Sequence, residues 1–516
     1  MRLSQLLAVI QQILPPGAVD PEITGVVFDS RRVQPGNLFV ACAGGAVDGH
    51  DFIPQAVAAG AAAVVGERVT PSPDLPIPYV SVMESRRALG WLSAAWRGFP
   101  SRRMTLIGVT GTDGKTTTVN LIFQILRQAG LQAGMIGTTG AVIGARELDT
   151  GFHVTTPDAP ALQNFLAQMT AAGITHCVVE VTSHGLAQHR VAGCEFDITA
   201  VTNITHEHLD YHGTFEEYRR TKAMLLSMLD SFPFKPNGPA RRAVLNADDP
   251  SCGYLRNLTK TPVVTYGVRK PADLTADGIR QDADGLHLTA QMDGVETAVS
   301  SPLLGIYNAA NILAALAVCV KGLGIDPRVA AAGIAAMPGV PGRMERIALG
   351  QDFTAIVDFA HTPNALRNAL ETARAMTRGR VIAVFGAAGL RDREKRRQMA
   401  MAGIELADQT VFTAEDPRTE SLDTILEEMA AGARARGGTE GETFVRIPDR
   451  GAAIRFAVQA AHAGDTVIAC GKGHEQSMCF DAVEYPWDDR TAMRAALAER
   501  LGVAGSQMPI LPTSTL

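Results

Sequence analysis

The sequence predicts an α/β protein built as several units in series, and three observations carry that expectation. The chain has 516 residues, too many for a single hydrophobic core; that length corresponds to about three or four domains. Short apolar runs alternate with helix-patterned stretches, the cadence of largely parallel sheets flanked by helices. Two joints interrupt that cadence: the basic, proline-containing WRGFPSRRM (96–104) and the proline/glycine stretch MPGVPGR (337–343).

In chain order, the opening MRLSQLLAVIQQILPPG places Leu3, Leu6, Leu7, Ile10 and Leu14 on one helical face. Two glutamines interrupt it and no small-residue cleavage site follows, so it reads as an amphipathic first helix rather than a signal peptide. The runs ITGVVF, NLFVA, AAAVVG and YVSV follow as strands, with FIPQAVAAGA as a helix between them. After the first joint, MTLIGVT, HCVVEV, ITAVTNI, RAVLNA and PVVTYGV read as strands with helices between. A polar insert from about Thr275 to Ser300 reads as antiparallel strands. Beyond the second joint, TAIVDFA, RVIAVFG, QTVFTA and DTVIACG alternate with helices as a third α/β unit. The expected boundaries are 1–100, 101–339 and 340–503, with 504–516 (GSQMPILPTSTL lies within it) a flexible tail.

Composition narrows the function. Hydrophobic residues make up 46% and charged residues 19%, as in soluble globular proteins. The net charge is −6 and no Lys/Arg block occurs, which argues against a nucleic-acid partner. Seven scattered cysteines without a CxxC pair suit a reduced, cytoplasmic protein with no cysteine zinc site. No run is apolar and long enough for a bilayer span, so no membrane insertion is expected.

The most informative stretch is MTLIGVTGTDGKTTTVNLIFQIL (104–126). A strand breaks into a glycine-rich turn that opens a helix, which is the context phosphate binding needs. Backbone N–H groups turn inward, the helix dipole adds positive potential, Lys115 reaches outer phosphates, and Thr116 can ligate Mg²⁺. The strict Walker spacing would put the first glycine at Val109; Gly108 stands one residue too early. A chance glycine turn is the bland alternative, but strand, Gly-Lys-Thr and helix in register favour a bound nucleotide.

Further motifs follow. CVVEVTSHGLAQHRV puts Glu180 at the carboxyl end of a buried strand, where open α/β sheets bind ligands. TNITHEHLDYHGT gathers His206, Glu207, His208, Asp210 and His212; this is not HExxH, and a hard Mg²⁺ site with oxygen ligands and one imidazole fits better than zinc. Lys222 on the following helix is by default a solvated lysine. GIYNAANILAAL places Asn308 and Asn311 at a helix head, as caps or as a contact to a base edge. Arg343 in PGRMERI, with Asp358 and His361 in VDFAHTPNAL, lies at the second joint. VFGAAGLRDREKRR lacks the GxGxxG spacing of a dinucleotide loop. TAEDPRTES (Glu415, Asp416, Arg418) and ACGKGHEQ (Lys472, His474, Glu475) each end a strand, and beside Arg391 they suggest a pocket for a small zwitterion.

Taken together, GTDGKTTT, TTPDA, EVTSHGLAQHRV, HLDYHGT, NAANILAA, PGRME, VDFAHTP, EDPR and GKGHE resemble the Mur ligase family, and within it the UDP-MurNAc-tripeptide synthetases. The resemblance covers nearly the whole chain, from FDSRRVQPGNLFVACAG to GKGHEQ. It implies a three-domain architecture: an N-terminal UDP-binding α/β domain, a central P-loop ATPase domain, and a Rossmann-like C-terminal domain that brings the incoming amino acid. By the same resemblance, Phe28, Ser30 and the turn Gly45, Ala46, Val47 would contact the uridine diphosphate. Gly111, Thr112, Asp113, Gly114, Lys115, Thr116 and Thr117 would cradle ATP, with Asn311 near adenine and Arg343 and Asp358 closing over phosphate and ribose. Thr155, Thr156, Thr182, Gln188 and Arg190 would hold the muramoyl dipeptide. Thr116, Glu180, His208 and Lys222 would form the Mg²⁺ site, Lys222 as the lysine that the family carbamylates. Lys115, Glu180, His208 and Lys222 would then be the catalytic set. Arg391, Glu415, Asp416, Pro417, Arg418, Gly471 and Glu475 would bind the amino acid.

The implied partners are the small molecules UDP-MurNAc-L-Ala-D-Glu, a diamino acid and ATP, handled by a monomer in the cytoplasm. The implied chemistry turns the D-Glu carboxylate into an acyl phosphate, which an amine attacks to give amide, ADP and phosphate. Diaminopimelate-adding relatives carry Asp-Asn-Pro-Arg where this chain has Glu415-Asp416-Pro417-Arg418, and GCGGDRD where it has GAAGLRD. Both arginines that suit a distal carboxylate are present, but Asp416 adds an anion that favours a terminal ammonium instead. The arginines tilt the expectation towards meso-diaminopimelate, with L-lysine and L-ornithine the competitors. A folylpolyglutamate synthetase, a simple kinase and an inactive ATP-binding regulator are the alternative functions.

Overall fold

The computed structural model describes residues 1–514 apart from 45–46, 69–74, 152–154, 206, 208, 237 and 283, and only the backbone of 209–210. The chain divides into two compact units. The first comprises Met1–Glu207, Thr214–Asp273 and Ala314–Gly333; the second comprises His208–Gly213, Leu274–Leu313 and Ile334–Leu516.

The first unit opens with α1 (Leu3–Val9), β1 (Gly25–Val27), β2 (Asn37–Val40), α2 (Ile53–Ala58), β3 (Ala63–Gly66), β4 (Tyr79–Ser81) and α3 (Ser85–Trp96). The strands pair in parallel in the order β1-β2-β3-β4. Residues alternate across the sheet with period two. Leu38, Val40, Ala63 and Val65 pack under α1 and α3, while Phe39, Ala41 and Val64 pack towards α2. Both faces are covered, which is why these strands read as unbroken apolar runs. The first helix stops short of its expected face. It ends at Val9, Gln11 turns to φ 55°, and Pro15-Pro16 follow, so Leu14 packs from irregular chain while Ile13 is exposed.

The same unit continues through β5 (Thr105–Thr110), α4 (Lys115–Gln128), β6 (Ala133–Gly137), β7 (Gly140–Ile143), β8 (Arg146–Leu148), α5 (Ala159–Ala171), β9 (His176–Glu180), α6 (Ser183–Ala187) and β10 (Ile198–Val201). After the short α7 (Leu209–His212), which is counted with the second unit, come α8 (Phe215–Asp230), β11 (Arg242–Asn246), α9 (Cys252–Arg256) and β12 (Val263–Gly267). The strand order is β12-β11-β10-β5-β9-β6-β7-β8, parallel up to β6 and antiparallel beyond. β6 and the ribbon β7–β8 escape sequence reading because Gly134, Gly137 and Gly140 thin out their hydrophobic pattern.

In the second unit, β13 (Leu274–Asp282), β14 (Gly285–Met292) and β15 (Val295–Ser301) form the expected antiparallel strands. The helix α10 (Asn308–Leu316) begins in this unit, whereas most of α11 (Pro327–Ala335) is counted with the first. The last sheet is built from β16 (Glu345–Arg346), β17 (Thr354–Asp358), α12 (Pro363–Met376), β18 (Val381–Phe385), α13 (Arg393–Leu406), β19 (Gln409–Phe412), α14 (Leu422–Ala435), β20 (Phe444–Arg446), α15 (Arg450–Ala460) and β21 (Thr466–Cys470). A hairpin, β22 (Ser477–Phe480) and β23 (Val483–Pro486), and α16 (Asp489–Leu501) complete it. The order is β16-β17-β21-β18-β19-β20, parallel except for β16. Ile356, Ala383, Phe385, Phe412 and Ile468 face α12, α13 and α14; Val357, Ile382, Val384, Val411 and Val467 face α15 and α16.

The tail departs from expectation. Leu511 is buried in the core beneath α15 and α16, and Met508 packs against it. The hydroxyls of Thr513 and Ser514 donate to Asp449 Oδ2 at 3.0 and 2.7 Å. Polar composition suggested a loose end, but one leucine and two hydroxyls are enough to dock it.

Candidate active site

In the first unit the turn between β5 and α4 lies against the end of β10. Thr112 N–H donates to Asn203 O at 2.8 Å, and Asp113 N–H to Asn203 Oδ1 at 2.9 Å. The Thr202 hydroxyl donates to Asp113 O at 2.6 Å. Position 111 must be glycine: its φ is 149°, and a Cβ there would lie 1.8 Å from Thr202 Oγ1. Gly108 is not part of the turn; it sits inside β5, so the loop proper is the four residues 111–114. The first N–H groups of α4 have no intrahelical acceptor and carry the positive end of the helix dipole, a ready anion site. Lys115 Nζ folds back over this loop and donates to Thr112 O at 2.7 Å.

Beside the loop, Glu180 ends β9 with 1% of its surface exposed. Its Oε1 accepts the Thr116 hydroxyl at 2.9 Å, and its Oε2 accepts Thr138 N–H and hydroxyl at 3.1 and 2.8 Å. Thr138, which follows β6, was not identified from sequence because its strand was not. The Thr138 hydroxyl also lies 3.1 Å from Thr155 Oγ1. His206 and His208 lie outside the described residues, as does the side chain of Asp210.

Lys222 on α8 is no solvated lysine. It is 1% exposed, and its Nζ donates to Gly111 O at 2.6 Å. Burial, and next the charge of Lys115, push its pKa well below that of an ordinary lysine. One turn earlier, Tyr218 places its ring 4.6 Å from Lys222 Nζ and its hydroxyl 3.0 Å from Thr112 Oγ1. Burial, and next the Glu207 charge, push the Tyr218 pKa up, so the phenol keeps its proton. The i,i+4 spacing of Tyr218 and Lys222 was a readable signal for this pair.

The residues expected around the dipeptide are close together and divide by role. Thr156 is fully buried: its hydroxyl donates to Glu180 O at 2.9 Å and accepts Thr182 N–H at 3.0 Å. It therefore ties the strand end in place rather than presenting itself to a ligand. Thr182 caps α6 through Gly185 N–H at 3.0 Å. Arg190 donates to Gln188 Oε1 and, at 2.7 Å, to Thr156 O, so Gln188 and Arg190 form one fixed pair. At the amino-terminal sheet, buried Ser30 donates to Gln55 Oε1 at 2.9 Å. Phe28 is half-buried against the core of α1 and α3, and Val47 is exposed. Gly45 and Ala46 lie outside the described residues.

In the second unit, Asn311 donates to Asn308 Oδ1 at 2.8 Å, and Asn308 donates to Leu304 O at 2.7 Å, tying the helix head to the chain before it. Asp358 is buried, and its two oxygens accept Met344 N–H at 2.6 Å and Ala360 N–H at 2.7 Å. It braces the joint around Arg343, whose guanidinium lies over the Phe359 ring at 4.5 Å.

The expected amino-acid residues converge at the carboxyl ends of β18, β19 and β21. Arg391 lies on the exposed loop after β18. Asp416, Pro417 and Arg418 follow β19 in a tight loop, with Asp416 and Arg418 at φ 42° and 54°. Asp416 is bound by Lys472 Nζ at 2.9 and 3.0 Å and accepts Cys479 N–H at 2.9 Å. Lys472 also pairs with Glu475 at 2.5 Å. Glu415 is buried, its Oε2 has no hydrogen-bond partner among the described residues, and burial raises its pKa to about 7. Gly471, at φ 113°, comes so close that a Cβ on it would lie 2.4 Å from that oxygen.

The chain matches three family models in series: "Mur ligase family, catalytic domain" over residues 22–97, "Mur ligase middle domain" over 109–319, and "Mur ligase, glutamate ligase domain" over 342–473. A UDP-N-acetylmuramyl-tripeptide synthetase of Roseiflexus sp. (strain RS-1) is 44% identical, across 98% of this chain and 100% of that protein. The chain belongs to the Mur ligase family. As a Mur ligase it is an ATP-dependent enzyme that makes an amide bond, on the three-domain α/β architecture. A UDP-N-acetylmuramoyl-L-alanyl-D-glutamate–2,6-diaminopimelate ligase of Geobacillus thermodenitrificans is 42% identical over 97% of this chain and 100% of that one. A solved structure of a ligase bearing the same name superposes with a TM-score of 0.67 at 30% identity, covering 97% of this chain and all of that one. No helix among the described residues of this Mur ligase is long and apolar enough to cross a membrane.

Proposed function

We propose that this Mur ligase joins meso-diaminopimelate to UDP-N-acetylmuramoyl-L-alanyl-D-glutamate, with ATP converted to ADP and phosphate, in the cytoplasmic synthesis of peptidoglycan precursors. The names borne by relatives that match nearly the whole chain support the substrate class. Seven free thiols suit a reducing compartment.

The observation that carries the choice of amino acid is the Asp416–Lys472 pair. An anion at 416 would favour a terminal ammonium only if its charge faced the ligand. Here Lys472 and the Cys479 amide take both oxygens inside the pocket wall. Arg418 and Arg391 then set the sign of the pocket, and a guanidinium fork suits the distal carboxylate of diaminopimelate.

The N–H groups at the start of α4 hold the triphosphate, while those of Thr112 and Asp113 fix the loop to Asn203, and Lys115 exchanges its bond to Thr112 O for a phosphate oxygen as charge develops. Thr116, Thr138 and Glu180 fit a hard cation. Glu180 is a buried carboxylate whose partners here are hydroxyls and an amide, and a divalent ion would balance its charge. Mg²⁺, when bound, neutralises the transferring phosphoryl group. The substrate carboxylate attacks the γ-phosphorus, ADP leaves, and the resulting acyl phosphate is attacked by the amine, releasing phosphate.

Lys222 supports the carbamylation reading, because a buried lysine with a depressed pKa presents a free amine. That neutral amine attacks CO2: a C–N bond forms as one C=O π bond breaks onto oxygen, a proton leaves the nitrogen, and the side chain becomes a carbamate anion. Phosphate release from ATP and Mg²⁺ should require both UDP-N-acetylmuramoyl-L-alanyl-D-glutamate and meso-diaminopimelate, with the tripeptide product seen by mass. Release with L-lysine or L-ornithine alone would overturn the assignment of the amino acid; release without any amine, or none at all, would overturn the function.

A further inference from the structure

We propose that Arg450, held by Asp489, which Trp487 holds in turn, is a positioning residue of the amino-acid pocket, fixing the two strand ends from which Glu415 and Gly471 depart; this rests on the function proposed above. Arg450 opens α15 and is 0% exposed, as is Asp489 at the start of α16. Its Nε and Nη2 grip the two Asp489 oxygens at 2.7 Å each. Trp487 Nε1 donates to Asp489 Oδ1 at 2.8 Å. The remaining reach of the guanidinium goes to main chain: Nη1 to Ala414 O at 3.1 Å and Nη2 to Cys470 O at 2.7 Å.

Those two carbonyls immediately precede Glu415 and Gly471. They lie beyond or at the ends of β19 and β21, strands that flank β18 on its two sides. A single planar fork therefore spans the end of β18 and sets the spacing of the loops on either side. The fit leaves little slack, since Glu415 Oε2 occupies the space that any side chain at 471 would need. The loop after Glu415 is held against its own preference, with Asp416 and Arg418 both in the left-handed region. Such conformations persist only where the surroundings over-determine them. The hairpin β22–β23 clamps the far side: Arg418 N–H donates to Cys479 O at 3.1 Å, and Asp481 N–H donates to Arg418 O at 2.8 Å. Arg450 clamps the root.

Stability alone is a weak account of this ion pair. Desolvating two charges is costly, and a well-packed apolar pair of similar volume would often serve as well. An apolar pair could not, however, donate to the carbonyls of Ala414 and Cys470, which need partners when buried. Lysine would keep the charge but not the fork.

The test compares steady-state kinetics of wild type, Arg450→Lys and Trp487→Phe, varying each substrate in turn, with thermal melts alongside. In Arg450→Lys the KM for the diamino acid should rise about tenfold or more, as expected when a binding geometry loosens by a fraction of an ångström. Trp487→Phe, a gentler change that frees one Asp489 bond, should give a smaller rise in the same KM. The KM values for ATP and the UDP-sugar substrate should stay within about twofold, and kcat should fall less than the diamino-acid KM rises. A lowered Tm with all three KM values unchanged, or all three rising together, would reduce the network to core stability and overturn the proposal. Should Arg450→Lys not fold, Trp487→Phe decides by the same criteria. A wild type inactive with every diamino acid refutes the proposed function and this role with it; an active wild type with unshifted variants refutes this role alone.

Discussion

Lys222 and Glu415 are both buried ionisable groups, yet their environments act in opposite chemical directions. The depressed pKa of Lys222 makes its amine available to CO2, so Lys222→Ala should lose turnover by several orders of magnitude and regain part of it with added formate or acetate. Full activity without such rescue would remove the modified lysine from the mechanism. Glu415 holds its proton more tightly when folded, at about 7 against 4.5 for the free side chain. The folded state thus binds more protons than the unfolded one between those values. Stability falls as pH rises through this window and levels off above about 7. Denaturation midpoints should show Glu415→Gln gaining on wild type by about 2–3 kcal/mol between about pH 5 and about pH 8. Parallel curves for the two proteins would place the proton elsewhere. Residues such as Lys115, Glu180 and the Glu415–Arg418 loop were legible from sequence because local spacing declares them. The Lys472 partner of Asp416 was not, because the pair closes across 56 residues and only the fold brings it together.

At the scale of elements, Asp449 joins two things that sequence keeps apart. Its Oδ1 caps α15 through Ala452 N–H at 2.7 Å, while its Oδ2 receives the hydroxyls of the docked tail. Leu511 supplies the apolar part of that docking, so Leu511→Ala should cost about 2–3 kcal/mol, read as a lower Tm; an unchanged Tm would return the tail to the loose segment its composition suggested. Strands rich in Val and Ile could be read directly, since a sheet covered on both faces leaves an uninterrupted apolar run. β6 could not, because its glycines dilute the pattern. The hairpin β22–β23 could not either: it is short, exposes Val483, and takes its place from contacts with the loop it clamps.

Across the whole molecule, three sheets of the predicted type follow one another, and the motifs fall where the carboxyl ends of parallel strands put them. That much was fixed by periodicity and by glycine, lysine and threonine in register. The pinning group behind the last motifs, Arg450, had no such signature, because its role depends on the carbonyls of Ala414 and Cys470, which any sequence supplies. The placement of Lys222 has a consequence for how such a protein behaves over time. Its amine is sealed from solvent and tethered to the carbonyl of Gly111, so a gas molecule can reach or leave it only when the surrounding structure breathes. Under the carbamylation proposed for it, occupancy of that nitrogen would lag behind the dissolved carbon dioxide around it. Two samples of identical sequence and concentration, one freshly degassed and one left open to air, would carry different histories into the same assay.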